Sequence, residues 1–173
     1  LDLNINAELI EKAITPNTKV ILPVHFTGQM CDMHRIMEIA ENHNIIVVED
    51  GAQAFGAKQN RSVCGSFGEL SCFSMNPMKV YNGFGEAGAI LTDDESIRER
   101  LVSLRYNGTV NKQDCHYPSL NGRLDTIQAA MLLVNLNYLD EKIEKRRAIA
   151  AMYNRQLTNV VQCPKKPWEP PYI

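Results

Sequence analysis

Apolar positions along this chain follow two different periods, and the switching between them predicts helices interleaved with strands. Leu9, Ile10, Ala13 and Ile14 form a short helical face that stops at Thr15-Pro16. Residues 20–24 follow as a strand with Pro23 near its end. Asp32 precedes Met33, Ile36, Met37 and Ala40, an i, i+3, i+4, i+7 series that reads as a second helix capped at Asp32. The apolar run Ile45-Ile46-Val47-Val48-Glu49, ending at Asp50, reads as a buried strand. Strand, helix, strand in this order predicts a right-handed parallel crossover, with ligands gathering beyond the carboxyl ends of the strands. Asp50 lies at such an end.

Beyond a loop over residues 56–68, residues 70–74 read as a short strand and residues 87–92 as another. Asp93 or Asp94 can cap a helix carrying Ile97, Leu101 and Leu104 that ends at Asn107-Gly108. Asp125, with Gln128 three residues later, resembles a capping box and opens a long helical stretch with Ile127, Ala130, Met131 and Val134. The charged run 140–147 reads as a solvated helix surface, with Glu141 and Lys145 spaced to pair. The pattern predicts an α/β fold with a mostly parallel sheet flanked by helices.

Composition narrows the function classes. The 173 residues, 45% hydrophobic and 22% charged, can bury a core as one domain or as part of a larger one. A formal net charge of −2 without a long basic run argues against nucleic-acid and membrane-surface partners. No apolar stretch approaches the roughly 18 residues of a membrane span, and the start Leu1-Asp2-Leu3-Asn4 lacks a signal-peptide pattern. The five scattered cysteines, Cys31, Cys64, Cys72, Cys115 and Cys163, are expected to be reduced thiols of a cytoplasmic protein. His34, His43 and His116 show no convergent ligand spacing, so no metal site is expected. The proline-rich stretch Pro164-Lys165-Lys166-Pro167-Trp168-Glu169-Pro170-Pro171 reads as a linker, and the chain as a piece of something longer.

Two residues carry candidate chemistry. Asp50 offers a carboxylate at a strand end, and Lys79 offers an amine in the turn-like stretch Ser74-Met75-Asn76-Pro77-Met78-Lys79. An aldehyde cofactor needs an amine to bind it and an acid to keep its ring nitrogen protonated. Taken alone, Lys79 reads as a surface lysine and Asp50 as a strand-end cap. Gly83-Phe84-Gly85-Glu86-Ala87-Gly88 satisfies the dinucleotide-binding pattern, but it precedes a strand instead of opening a helix, so that reading is set aside.

Longer motifs in register decide between these readings. Val48-Glu49-Asp50-Gly51-Ala52-Gln53-Ala54-Phe55-Gly56-Ala57, Cys72-Phe73-Ser74-Met75-Asn76-Pro77-Met78-Lys79, Gly85-Glu86-Ala87-Gly88 and Asn121-Gly122-Arg123-Leu124-Asp125-Thr126-Ile127-Gln128-Ala129-Ala130 resemble the DegT-type (DegT/DnrJ/StrS) sugar aminotransferases. These are fold type I enzymes that use pyridoxal 5'-phosphate. The resemblance covers essentially the whole chain. It implies that residues 1–160 are the central part of the large cofactor-binding domain and 161–173 a linker toward a C-terminal small domain.

By the same resemblance Lys79 is the lysine that binds the cofactor aldehyde and shuttles a proton, and Asp50 the partner of the ring nitrogen. Gln53 is implied near the phenolic oxygen and Ser74 at the phosphate, although a loop serine also reads as a local turn bond. Asn121 is implied at the phosphate of the neighbouring subunit's cofactor in a homodimer with shared sites; its competing reading is a turn asparagine before Gly122. His25 lies in a family-like Pro23-Val24-His25 segment, and contact with the cofactor and packing beneath the site both stay open.

The implied reaction moves an amino group from an amino acid such as glutamate to a nucleotide-linked keto sugar, in amino-sugar or surface-glycan biosynthesis. A sugar dehydratase of the same family is the alternative, but those carry histidine where Lys79 stands. A truncated, non-catalytic piece is the other alternative. Gly51, Gly122 and Ala87 depart from the family pattern without removing a reacting group.

Overall fold

The first helix, α1 (Ala7–Ala13), begins where the Asn6 side chain accepts the Glu8 amide at 3.1 Å, and it turns Ala7 and Ile10 inward. The computed structural model describes residues 3–163, and the proline-rich linker from Pro164 onward lies outside the described residues. Strand β1 (Val20–Ile21) is shorter than the pattern predicts. Pro23 has no N–H to give to a ladder. Its carbonyl instead accepts the Asp50 amide at 2.9 Å, and Val24 makes an isolated parallel bridge to Asp50.

Helix α2 (Met33–His43) starts as expected, with Asp32 Oδ1 accepting the Arg35 amide at 3.3 Å. It buries Met33, Ile36, Ile39 and Ala40, the three larger side chains each contributing about 1.5–3 kcal/mol of transfer free energy. The helix closes at Asn44, which takes the left-handed conformation that asparagine tolerates. Strand β2 (Ile46–Asp50) then runs parallel to β1, with Val20 opposite Ile46 and Ile21 opposite Val47.

A small antiparallel hairpin, β3 (Lys58–Gln59) and β4 (Ser62–Val63), lies in the loop that leads to β5 (Leu70–Ser74). Strand β5 pairs parallel with β2, placing Cys72 opposite Asp50. Strand β6 (Gly88–Leu91) pairs antiparallel with β5, giving the order β1-β2-β5-β6. The reversal comes from a tight return: the Gly83 amide donates to Met75 O and the Met75 amide to Ala87 O, both at 2.8 Å.

Successive residues of a strand face opposite sides of a sheet. Ile21, Val47, Glu49, Ser71 and Phe73 point to the buried side, against which α2 packs. Asp50, Cys72 and Ser74 fall on the other side, along with the exposed Val20, Ile46 and Ile90.

Helix α3 (Glu95–Arg105) is capped by Asp94, whose Oδ1 accepts the Ile97 amide at 2.9 Å. A second hairpin, β7 (Thr109–Val110) with β8 (Asp114–Cys115), follows it. The long helical stretch is two helices, α4 (Thr126–Leu136) and α5 (Leu139–Leu157). Asn137 and Tyr138 donate three residues back, to Val134 and Asn135, and this tightening ends α4. Along α5 the ion pairs Glu141–Lys145 and Glu144–Arg147 lie on its solvated side. Among the described residues, no helix is long and apolar enough to cross a membrane.

Candidate active site

The carboxyl ends of β1, β2 and β5 bring together most of the residues that the sequence singles out. Asp50 closes β2, its Oδ1 accepting the Ala52 amide at 3.0 Å. Its other carboxylate oxygen has no hydrogen-bond partner among the described residues. The strand-end cap is therefore real, and it uses only half of the carboxylate. Gln53 follows in the turn, its Oε1 accepting the Thr27 amide at 3.2 Å. The Gln53 amide nitrogen has no hydrogen-bond partner among the described residues and stays available as a donor.

Ser74 ends β5 two residues past Cys72, on the Asp50 face of the sheet. Its Oγ accepts the Asn76 amide at 3.4 Å, so the local turn bond is also present. Lys79 sits in the following turn, half-buried, with its amide donating to Asn76 O at 2.9 Å. An acid, an amide, a hydroxyl and an amine thus stand at one end of one sheet. This donor set fits a phosphorylated pyridine aldehyde, whose ring nitrogen, ring oxygen, phosphate and carbonyl carbon each need one of them. Cys72, beside Asp50, has its thiol pushed up by burial and by the Asp50 charge.

The structure takes His25 away from this group. It is fully buried, with Nδ1 accepting the Cys31 amide at 3.1 Å and Nε2 facing Glu49 Oε2 at 3.0 Å. Neither ring nitrogen is left for a ligand, and His25 acts beneath the site. Glu49 is equally buried; its Oε2 also accepts the Gly65 amide, and its Oε1 accepts the Phe67 and Gly68 amides. Burial pushes the Glu49 carboxyl up, but the hydrogen bonds from His25, Gly68, Gly65 and Phe67 more than offset it and hold the carboxyl below its ordinary value.

Cys64 shares this interior, and its potential ligand atom lies within 4.8 Å of those of His25 and Glu49. No spacing in the sequence flagged this cluster. Burial, reinforced by the charge of Glu49, pushes the Cys64 thiol up, so it is an inert packing group. The Glu49 charge is already met by N–H donors.

The glycine-rich segment before β6 has a different partner from the one its pattern suggests. Gln128, on α4, accepts the Phe84 amide at 2.9 Å. A Cβ on Gly85 would stand 2.8 Å from Gln128 Nε2, so the glycine leaves room for this side chain. Gln128 is consequently no part of a capping box: Asp125 stands at the N-cap of α4 but makes no side-chain bond there. Tyr81 Oη donates to Leu132 O at 3.0 Å and Asn135 Nδ2 to Asn82 O at 2.7 Å. One face of α4 thereby holds the segment that follows Lys79.

Asn121 lies elsewhere. It bridges to Tyr106, is exposed, and its Oδ1 accepts the Arg123 amide at 3.3 Å and Arg123 Nε at 3.1 Å. The Arg123 guanidinium in turn covers the Tyr106 ring, 4.5 Å from its centroid.

A mainly parallel sheet carrying these groups at its carboxyl ends defines the class: part of the large domain of a fold type I aminotransferase. The chain belongs to the DegT/DnrJ/EryC1/StrS aminotransferase family, which it matches over residues 1–170.

It is 44% identical over 156 residues to the dTDP-3-amino-3,6-dideoxy-alpha-D-galactopyranose transaminase of Aneurinibacillus thermoaerophilus, an alignment that covers 90% of this chain and 43% of that one. Its fold is similar to that of a DegT/DnrJ/EryC1/StrS aminotransferase from Brucella abortus, with a TM-score of 0.90 and 35% identity, covering 96% of this chain and 47% of that one. The ntda protein of Bacillus subtilis, solved with bound cofactor PMP, is similar with a TM-score of 0.83 and 34% identity, covering 92% of this chain and 36% of that one. The chain spans less than half the length of the curated relatives it matches, 42% and 43% of the first of them.

Proposed function

We propose that this chain is the core of a pyridoxal phosphate-dependent aminotransferase that moves an amino group from an amino acid, with glutamate the favoured donor, to a nucleotide-linked keto sugar. The observation that carries the reading is the placement of Asp50, Gln53, Ser74 and the Lys79 loop at one end of the sheet. Family membership and the transaminase name of the 44%-identical relative support it. So does the PMP, the aminated form of the same cofactor, in a structural neighbour.

When bound, the cofactor supplies an electron sink that stabilises negative charge on the substrate carbon. The residues do the rest. Asp50 would hold the ring nitrogen protonated through its free carboxylate oxygen. The Gln53 amide would donate to the ring oxygen, and the Ser74 hydroxyl to the phosphate. Lys79 Nζ would hold the cofactor by its aldehyde carbon and, once released by the incoming amine, would carry a proton between the substrate carbon and the cofactor carbon that bears the nitrogen. Lys79 stands where the dehydratases of this family have histidine, which favours amino transfer.

In this reading residues 1–160 are the central part of the large domain, and 161–173 lead to a small domain. The protein works in the cytoplasm as a homodimer, in amino-sugar or surface-glycan biosynthesis, and Asn121 serves the partner's phosphate. Borohydride reduction of the full-length protein with pyridoxal phosphate, followed by peptide mass mapping, tests the assignment. The cofactor should be fixed on Lys79, and a label on another lysine would overturn it.

A further inference from the structure

The turn that presents Lys79 is organised by one residue. Asn76 accepts the Lys79 amide at its main-chain oxygen and the Met78 amide at Oδ1, each at 2.9 Å, and its own amide donates to Ser74 Oγ. Its remaining polar group, Nδ2, reaches across the loop to Glu86 Oε1 at 2.7 Å. Glu86 lies on the returning segment, next to Ala87, whose carbonyl accepts the Met75 amide. The two strands of the return are therefore joined at their base by the main chain. Above that base, nearer Lys79, the Asn76–Glu86 bond is the side-chain tie among the described residues. Glu86 is exposed, so the bond adds little to overall stability. Its effect falls on the position of a short loop.

We propose that Asn76 and Glu86 form a latch that positions Lys79 for capture of the cofactor aldehyde and for proton transfer. The proposal rests on the assignment of Lys79 made above. The Asn76 amide has both of its ends in use: the oxygen shapes the turn and the nitrogen fixes the turn to the far side of the loop. A neutral N–H donor facing a carboxylate makes a shorter and stronger bond than a neutral pair does. An amine displaced by about 1 Å from its reacting carbon can lose about 10²-fold in rate. Asn76 and Glu86 are positioning residues and do not themselves touch the reacting atoms.

Three variants of the full-length protein test the latch. Asn76→Asp keeps an acceptor for the Met78 amide but sets a second carboxylate against Glu86. Glu86→Gln leaves a neutral acceptor for Asn76 Nδ2. The double variant exchanges donor and acceptor and rebuilds the bond in the opposite sense. In the cofactor-free protein, amide exchange of the peptide containing Met78 and Lys79 should speed up in Asn76→Asp and return toward the wild-type rate in the double variant. The rate of borohydride-trappable cofactor capture on Lys79, and kcat, should fall about 10-fold to 10²-fold in Asn76→Asp, with the KM for amino donor nearly unchanged, and recover in the double variant.

Wild-type capture and exchange rates in Asn76→Asp, or a double variant no better than that single one, overturn the latch. Mapping of the wild-type label keeps the two ideas apart. A label away from Lys79 overturns the assignment and the latch with it, whereas a label on Lys79 with no rescue overturns the latch alone.

Discussion

Glu49, one residue in sequence from Asp50 and on the opposite side of the sheet, meets His25 in the interior at 3.0 Å. Because His25 Nδ1 accepts the Cys31 amide, Nε2 carries the ring proton and donates it to Glu49. The His25 amide also donates to Asp50 O at 3.0 Å. The pair thus ties the turn after β1, the loop around Gly65 and the end of β2 into one unit, and Asp50 is held by groups buried on the opposite side of the sheet.

Glu49→Gln should destabilise the protein by about 2–3 kcal/mol near neutral pH, since hydrogen bonds to a buried charge weaken and one N–H is left facing another. The folded value of Glu49 is depressed. Its contribution is therefore fully present above the unfolded value, about 4.3, and is lost as pH falls through the lower folded value. Urea midpoints of wild type and variant should differ most above that unfolded value and converge as the solution becomes more acidic. A gap independent of pH would show that the carboxylate charge is not what holds the unit.

Asp50→Asn removes the charge that the proposed function sets opposite the ring nitrogen while keeping the acceptor that closes the turn at Ala52. Turnover should fall by about 10² or more, a magnitude suited to general acid–base work. Cofactor occupancy, read from the visible absorbance, should change much less. Equal losses in both would reduce Asp50 to a binding residue.

Gly51 is a departure from the pattern that this chain resembles, and its surroundings leave no room for a side chain. A Cβ there would meet Phe73 Cε1 at 2.5 Å and Cys64 Sγ at 3.0 Å. Phe73 is itself held edge-on by Phe55, with centroids 5.2 Å apart, so it has little room to yield. Gly51→Ala should cost about 1–3 kcal/mol of overpacking. Phe73→Leu on that background should recover part of the loss; a double variant whose cost is the plain sum of the two would refute the steric coupling.

The parts that were legible in the sequence are local. Asp32 caps the helix that its spacing announced, Asp94 is the cap of the two candidates Asp93 and Asp94, and the apolar run up to Asp50 is a strand. What was not legible depends on partners distant along the chain. Gln128 looked like a cap because Asp125 lies three residues before it, yet its side chain serves Phe84, 44 positions away. The direction of β6 follows from hydrogen bonds that close a loop, and the fate of His25 from Glu49, 24 positions on. A single histidine or glutamine carries no mark of such an acceptor. The catalytic candidates were singled out because several motifs fixed their order, and Asp50, Ser74 and the Lys79 turn do fall at one end of the sheet.

Asn121 offers the sharpest remaining test, because its contacts within the chain run to Tyr106 and Arg123 and the proposed role lies at a partner's site. Asn121→Asp keeps the acceptor that Arg123 uses, so the turn should stay folded, but it removes a donor and sets negative charge against a phosphate. Lys79→Ala removes the reacting amine without disturbing the core. Each homodimer should be inactive or weak. If Asn121 serves the neighbouring site, a mixed dimer gathers both lesions into one site and leaves the other complete. With free exchange of subunits, half of the dimers are mixed and each has one working site, so activity should return to about a quarter of wild type. If Asn121 serves its own chain, every site in the mixed dimer keeps one lesion. Heterodimers verified by native mass measurement and still inactive would then place Asn121 outside any shared site.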